Sequence, residues 1–285
     1  MMRKPVGPRQ RGVTTRPGIR PATIAVAVLA VIWIYPVIWT LVNAVRPTAD
    51  LYRGPLDLPI PPALGNLADA WNRANLGGAL LNSTYVASLT VAGALVVAIP
   101  AAFTLTRLRP PARAALFLLV LAPLIIPTEV LIVPLFAIYR NLGLINSLPG
   151  VALVNVVFSV SFATVILAGF FRRIPQDLID AAQLDGAGRL ALLRFIAVPL
   201  AHPGIVAVGA IVAVFAWNDF SGALVLLQRP GVFTAPLALT TFSTFYATDE
   251  GLRFAGLAIT FLPPLVVFLL LQRRIVQALT AGTAR

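Results

Sequence analysis

A chain of 285 residues with 59% hydrophobic and 11% charged side chains cannot solvate its own surface, because soluble domains carry roughly 25% charged residues. No cysteine and a single histidine, His202, exclude a disulfide framework, a cysteine nucleophile and a thiolate or histidine-rich metal site. The mean hydropathy of +0.89 makes lipid the expected solvent, and the net charge of +12 is then judged by where the basic residues fall.

The first 21 residues, "MMRKPVGPRQRGVTTRPGIRP", are rich in proline and arginine and read as a disordered cytoplasmic tail that fixes topology near anionic lipid. Apolar runs follow at 22–45, 82–106, 113–139, 149–171, 203–227 and 254–272. About 20 helical residues cross a hydrocarbon core of roughly 30 Å, so the expected fold is all-α, an integral membrane protein of six transmembrane helices. The first run follows a basic segment, as a signal peptide would. Its length, the missing small-residue cleavage pattern and the later spans favour a retained helix. Between the first two runs, 46–81 is broken by prolines. Its segment "NLADAWNRANL" is suited to a short amphipathic helix at the outer surface, and the loop, longer than a common connection, suits either a simple connector or a docking surface.

The loops differ in charge. With the N-terminus inside, the inner segments hold Arg3, Lys4, Arg9, Arg11, Arg16 and Arg20, then Arg107, Arg109 and Arg113, then Arg172, Arg173, Arg189 and Arg194, and finally Arg273, Arg274 and Arg285. The outer segments hold only Arg46, Arg53, Arg73, Arg140, Arg229 and Arg253. Basic residues are retained on the cytoplasmic side, so both termini are expected inside. Topology thus accounts for the basic excess, and no basic folded domain is present for nucleic acid.

Lys4 is the only lysine and lies in the tail, so no phosphate-binding loop of the form GxxxxGK[ST] exists and the chain does not hydrolyse ATP. Two acids fall within the expected spans, Glu129 in the third and Asp219 in the fifth. A carboxylate at the bilayer centre costs on the order of 2.5–3.5 kcal/mol on insertion scales, which marks both as path residues or as hydrated, hydrogen-bonded groups near the interface.

One stretch, Ile174 to Pro203, departs from the oily pattern and holds three of the ten acidic residues. Pro175 suits a first helical turn, and Asp177 and Asp180 suit the positive end of a helix dipole. Leu178, Ala181, Ala182 and Asp185 share a face kept small by the alanines. Gly186 and Gly188 end the helix, "RLALLRFIAV" forms a second short helix, and Pro199 and Pro203 mark the return into the membrane. Such a helix either fits a groove in a partner protein or rests on lipid.

The segment "DAAQLDGAGRLALLRFIAVPLAHP" resembles the EAA loop of ABC importer permeases. Asp180 stands where that family usually has glutamate, and Ala181, Ala182, Asp185, Gly186, Ala187, Phe195, Pro199 and Pro203 fall at matching positions. The flanks "NLADAWNRANLGGALLNSTYVAS", "PTEVLIVPLFAIYRNLGLINS", "FFRRIPQDLIDAA", "FAWNDF" and "QRRIVQALTAGTAR" resemble the MalG-like, carbohydrate-importer branch. The resemblance implies a six-helix permease domain over 22–275, with the EAA-type loop at about 174–203 and a cytoplasmic C-terminal tail at 276–285, in a prokaryotic plasma membrane. It implies a second permease subunit, ATPase subunits that bind ATP and Mg and dock under the loop, and an extracytoplasmic solute-binding protein. The soluble-looking insert is then a coupling helix, with Asp180, Ala181, Ala182, Asp185, Gly186 and Ala187 as its coupling residues. No catalytic residue, metal site or cofactor of its own is expected.

Path-lining candidates are Glu129, Asn155, Ser159, Ser161, Asn218 and Asp219, with Trp217 placed to stack on a sugar face. The competing role for these groups is helix–helix hydrogen bonding, worth on the order of 0.6 kcal/mol each. The other readings are an ABC permease for glycerol phosphate, an amino acid or a peptide, and an ion-coupled carrier without an ATPase.

Overall fold

The computed structural model describes residues 21–51, 54, 59–243 and 249–281. Most of the expected basic tail and residues 282–285 therefore lie outside the described residues. All regular elements described are helical. Every backbone donor and acceptor inside a bilayer must be satisfied within the protein, which a helix does locally.

The elements in chain order are α1 (Pro21–Ala44), α2 (Gly65–Arg73), α3 (Leu76–Arg107), α4 (Pro110–Ile125), α5 (Thr128–Asn141) and α6 (Leu148–Phe171), followed by α7 (Gln176–Leu184) and α8 (Arg189–Ala191). A π-helical turn, Leu192–Ala197, joins α8 to α9 (Val198–Trp217), and α10 (Ser221–Leu226), α11 (Ala235–Ala238) and α12 (Glu250–Ala281) complete the chain. Among the described residues, Thr23–Ala44, Leu76–Arg107, Leu148–Phe171, Arg189–Trp217 and Glu250–Gln272 are long and apolar enough to cross a membrane unaided.

The expected third span, 113–139, is not one rod. Pro110–Ile125 and Val130–Asn141 meet at 97° and make a sixth span only as a bent pair. Ile126 is extended at φ −88°, ψ 117°, and Pro127 at φ −59°, ψ 131°. Proline lacks an N–H and pushes the preceding residue out of the α region, so the break falls where the sequence puts Pro127.

The fifth span also differs from expectation. It runs from Arg189 to Trp217 without a stop at Pro199 or Pro203, so "RLALLRFIAV" is its first part rather than a separate helix. At Pro199 the π turn supplies the reason. In an α-helix the Pro199 ring would strike the carbonyl of Phe195, four residues back. One wider turn, with the Val198 N–H donating to Leu193 O, precedes the proline and the helix continues. The second span starts earlier than expected, at Leu76, because left-handed Asn75 (φ 46°) turns the chain directly from α2 into α3.

Lipid tails are as apolar as leucine, so close packing rather than water exclusion holds the spans together. Small residues line the α3–α6–α9 contacts: Ala94, Ala98 and Ala102 on α3, Ala163 and Ala168 on α6, Ala197 and Ala201 at the π turn and α9 are buried in one cluster. A β-carbon at Gly204 would sit 2.7 Å from the Phe170 ring, and one at Gly93 would sit 2.8 Å from Val156 Cγ2, so neither position tolerates one in this packing. At the opposite end of the bundle from α7, α2 packs with the start of α12 around Ala70, Leu76, Phe242 and Leu252. There Arg46, 2% exposed, donates to the carbonyls of Gly54 (2.9 Å) and Asp50 (2.7 Å), which is how a buried guanidinium is tolerated. The α1 helix lies outermost: Trp33 is exposed, and the edge-to-face contact of Trp39 with Phe254, centroids 5.0 Å apart, ties α1 to α12.

Candidate functional site

The acidic, glycine-bearing stretch folds as α7, a tight turn and the start of the fifth span. Pro175 is the residue before α7, and Asp177 lies in its first turn. Ile179 is the one buried residue of α7; it enters the cluster of Phe103, Leu105, Phe171 and Leu192 at the ends of α3 and α6 and the start of the fifth span. Ala182, one turn on, is half-buried against the same cluster. Leu178, Ala181, Leu184 and Asp185 are exposed, Leu184 at 90%. The two alanines of the motif therefore differ: Ala182 is turned toward the bundle and Ala181 away from it.

The turn after α7 has a full helix-ending hydrogen-bond set. Gly186 N–H donates to Gln183 O at 3.0 Å and Ala187 N–H to Ala182 O at 2.9 Å, with Gly186 at φ +85°. This is the Schellman arrangement, which needs a left-handed residue and usually takes glycine. Ala187 packs on the cluster beside Ala182, supplying the apolar contact that accompanies it.

A polar chain ties α7 to α3. The guanidinium of Arg107 donates to Gln176 Oε1 at 2.6 Å, and Gln176 Nε2 donates to Asp180 Oδ1 at 2.7 Å. Arg107 also lies over the Phe103 ring, 5.4 Å from its centroid. From the sequence, Arg107 reads only as a topology charge and Gln176 carries no assigned role. The i, i+4 spacing of Gln176 and Asp180 was the available signal, since such pairs bond along a helix face. Behind α7 lies a cavity of about 530 Å³ bounded by the end of α3, α7 and the start of the fifth span.

The polar positions expected along a path are distributed otherwise. Asp219 sits just past the end of α9, where Oδ1 accepts the Gly222 N–H at 3.1 Å, at the first turn of α10, and Oδ2 accepts Asn155 Nδ2 at 3.2 Å. Asn155 and Asp219 thus meet and join α6 to the α9–α10 break. Asn218 is exposed and donates to its own helix at Val214 O, 2.9 Å away. Ser159 and Ser161 are buried within α6. The Glu129 side chain lies outside the described residues. Trp217 lines a mostly apolar groove of about 580 Å³ between α3, α9 and α12, where Thr84 and Ser88 are the hydroxyl-bearing members, and Asp219 is not part of that lining. Among the described residues no group of three or more His, Cys, Asp or Glu side chains has the spacing to hold a metal ion.

Comparison with known proteins places this architecture. The family described as "Binding-protein-dependent transport system inner membrane component" matches residues 94–281. The chain is 34% identical to the diacetylchitobiose uptake system permease protein NgcG of Streptomyces coelicolor, over 90% of this chain and 85% of the relative. It is also 34% identical to the trehalose transport system permease protein SugB of Mycobacterium tuberculosis, over 88% of this chain and 92% of the relative. A bacterial ABC transporter solved for the import of the acidic polysaccharide alginate contains a chain of the same fold, with a TM-score of 0.73 over 88% of this chain and 94% of that one, at 18% identity. The chain belongs to the family of binding-protein-dependent inner-membrane transport components. It is a permease subunit and not an enzyme.

Proposed function

We propose that this permease subunit forms half of the translocation path of an ATP-driven importer for a carbohydrate, a di- or oligosaccharide handed over by an extracytoplasmic binding protein. A second permease subunit completes the path. Partner ATPase subunits, which bind the ATP and Mg, dock on α7 at the cytoplasmic side, and both termini share that side. The observation that carries the reading is the alignment with sugar-importer permeases along about nine-tenths of the chain. The exposed outer face of α7 supports the docking assignment: a short helix that presents Leu178, Ala181, Leu184 and Asp185 away from its own bundle is ready for a groove supplied by another protein.

The test is deletion of the gene in its own host followed by uptake of labelled di- and oligosaccharides, glycerol phosphate, amino acids and peptides. Loss of uptake of one saccharide, with uptake restored by a plasmid copy and lost again when ATP is depleted, is the expected result. Loss confined to a non-sugar solute would replace the substrate class. Uptake that follows the proton or sodium gradient without ATP would overturn the importer reading.

A further inference from the structure

We propose that the cavity behind α7 is a binding site for the headgroup and upper chain of an anionic phospholipid. Its charged lining consists of Arg107 and Arg189, and its lining includes no acidic side chain. Thr104 and Gln183 add a hydroxyl and an amide, and Pro100 and Phe103 belong to its apolar wall.

Position argues for a lipid over a soluble anion. Arg107 is the last residue of the spanning helix Leu76–Arg107, and Arg189 is the first of the spanning helix Arg189–Trp217. At 1.5 Å per residue these helices of 32 and 29 residues run about 48 and 44 Å, the full thickness of a bilayer with its headgroups rather than the ~30 Å hydrocarbon core alone, so the two guanidinium groups at their ends belong to the headgroup region, where lipid phosphates lie. Pro100 is seven residues further in on α3, about 10 Å along the helix axis, so the same cavity extends from headgroup depth into the acyl region. Leu190, 75% exposed, and exposed Thr104 leave it open at its rim. A guanidinium has five N–H donors, and one nitrogen of Arg107 is engaged by Gln176, so capacity for a phosphate oxygen remains. Arg107 also holds Gln176 and, through it, Asp180, so occupancy of the cavity reaches the polar chain that orients α7.

The test uses the full chain in nanodiscs of phosphatidylcholine doped with rising fractions of phosphatidylglycerol, with retained lipid counted by native mass spectrometry. One phosphatidylglycerol per chain should persist after release. Arg107→Gln and Arg189→Gln should each raise the fraction needed for half retention about tenfold or more, the scale of a charge-assisted hydrogen bond. Arg113→Gln, also exposed at this end of the bundle but outside the cavity, should change it by less than about fivefold, the scale of a diffuse surface charge. If Arg107→Gln inserts poorly, Arg189→Gln at the exposed helix start still decides the matter. An equal loss with Arg113→Gln, or no stoichiometric retention in the unmodified chain, would overturn the site. Displacement of the lipid by millimolar inorganic phosphate would overturn its assignment to a lipid.

Discussion

Replacing Gly186 with proline tests whether the turn after α7 passes force. Proline fixes φ near −65°, whereas Gly186 sits at φ +85°. The substitution removes the Gly186 N–H that bonds Gln183 O and moves the backbone out of the left-handed region on which the Ala187 N–H to Ala182 O bond depends. Two hydrogen bonds at about 1 kcal/mol each, with loss of the Ala182–Ala187 contact, give a local cost of roughly 2–3 kcal/mol. That is enough to free the end of α7 and too little to unfold spans held by close packing. Gly186→Ala isolates the backbone term. No atom lies within 4 Å of the new β-carbon, so its cost is the left-handed penalty alone, roughly 1–2 kcal/mol. Gly188→Ala is the control, with an ordinary extended backbone (φ −71°, ψ 169°) and open space, expected within about 0.5 kcal/mol of neutral. The assay is binding-protein-stimulated ATPase activity of reconstituted complexes, normalised to assembled complex. Activity should fall in the order Gly188→Ala, Gly186→Ala, Gly186→Pro, with membrane insertion unchanged. Full stimulated activity in Gly186→Pro would refute the turn as a route for force.

Topology is open to single introduced cysteines, since the chain has none: Thr15→Cys and Thr283→Cys should resist an impermeant thiol reagent applied outside intact cells, and labelling of either would reverse the orientation. Ala181→Arg, on the exposed face of α7, should abolish co-purification of a tagged ATPase while leaving permease yield intact, whereas Ala182→Arg should lower the yield itself by forcing a long charged side chain against Ile179 and Ala187. Asp180→Glu should be nearly silent in the same pull-down, and unimpaired ATPase recovery with Ala181→Arg would leave α7 as a lipid-resting helix. Asp219→Asn places an amide NH2 opposite that of Asn155 or at the Gly222 N–H, removing an interaction on the order of 0.6–1.7 kcal/mol; assembled complex should fall with uptake per complex unchanged, and the opposite pattern would put Asp219 on the path.

Span existence was legible because apolar length suffices to identify a helix that must cross hydrocarbon, and the glycine of the α7 turn was legible because few residues accept a positive φ. Span shape was less so. Both Pro127 and Pro199 interrupt apolar runs, yet one ends in a 97° bend and the other is absorbed by a π turn. The difference lies in what surrounds them: Leu192 and Ala197 are buried in the main cluster around Pro199, whereas Ile125, Ile126 and Pro127 are exposed. A run of apolar letters carries no record of such neighbours. The same limit applies to Asp219, which reads as a charge inside a span and folds as the group that accepts from the first turn of α10. A helix break at Asn218 was the missing information, and neither asparagine nor aspartate breaks a helix reliably enough to reveal it.

In the proposed importer, α7 must transmit a displacement it does not generate, which requires that it be loosely packed outward and firmly tied inward. Its inward ties are unequal. The chain itself joins α7 to α6 and to the fifth span, and Ile179 is buried in the cluster that the ends of those two spans share with α3, whereas the side-chain hydrogen bond of Gln176 with Arg107 runs to α3 alone. A helix attached by its termini alone could tilt without moving α3. With Ile179 seated and Arg107 holding Gln176, a push on the exposed face of α7 is shared among α3, α6 and α9, the three spans whose small-residue contacts pack them as one body. The outermost α1 and the bent α4–α5 pair make no contribution to that cluster's buried residues. The division between the elements that move with α7 and those that accommodate them therefore falls between the buried α3–α6–α9 core and its exposed flanks.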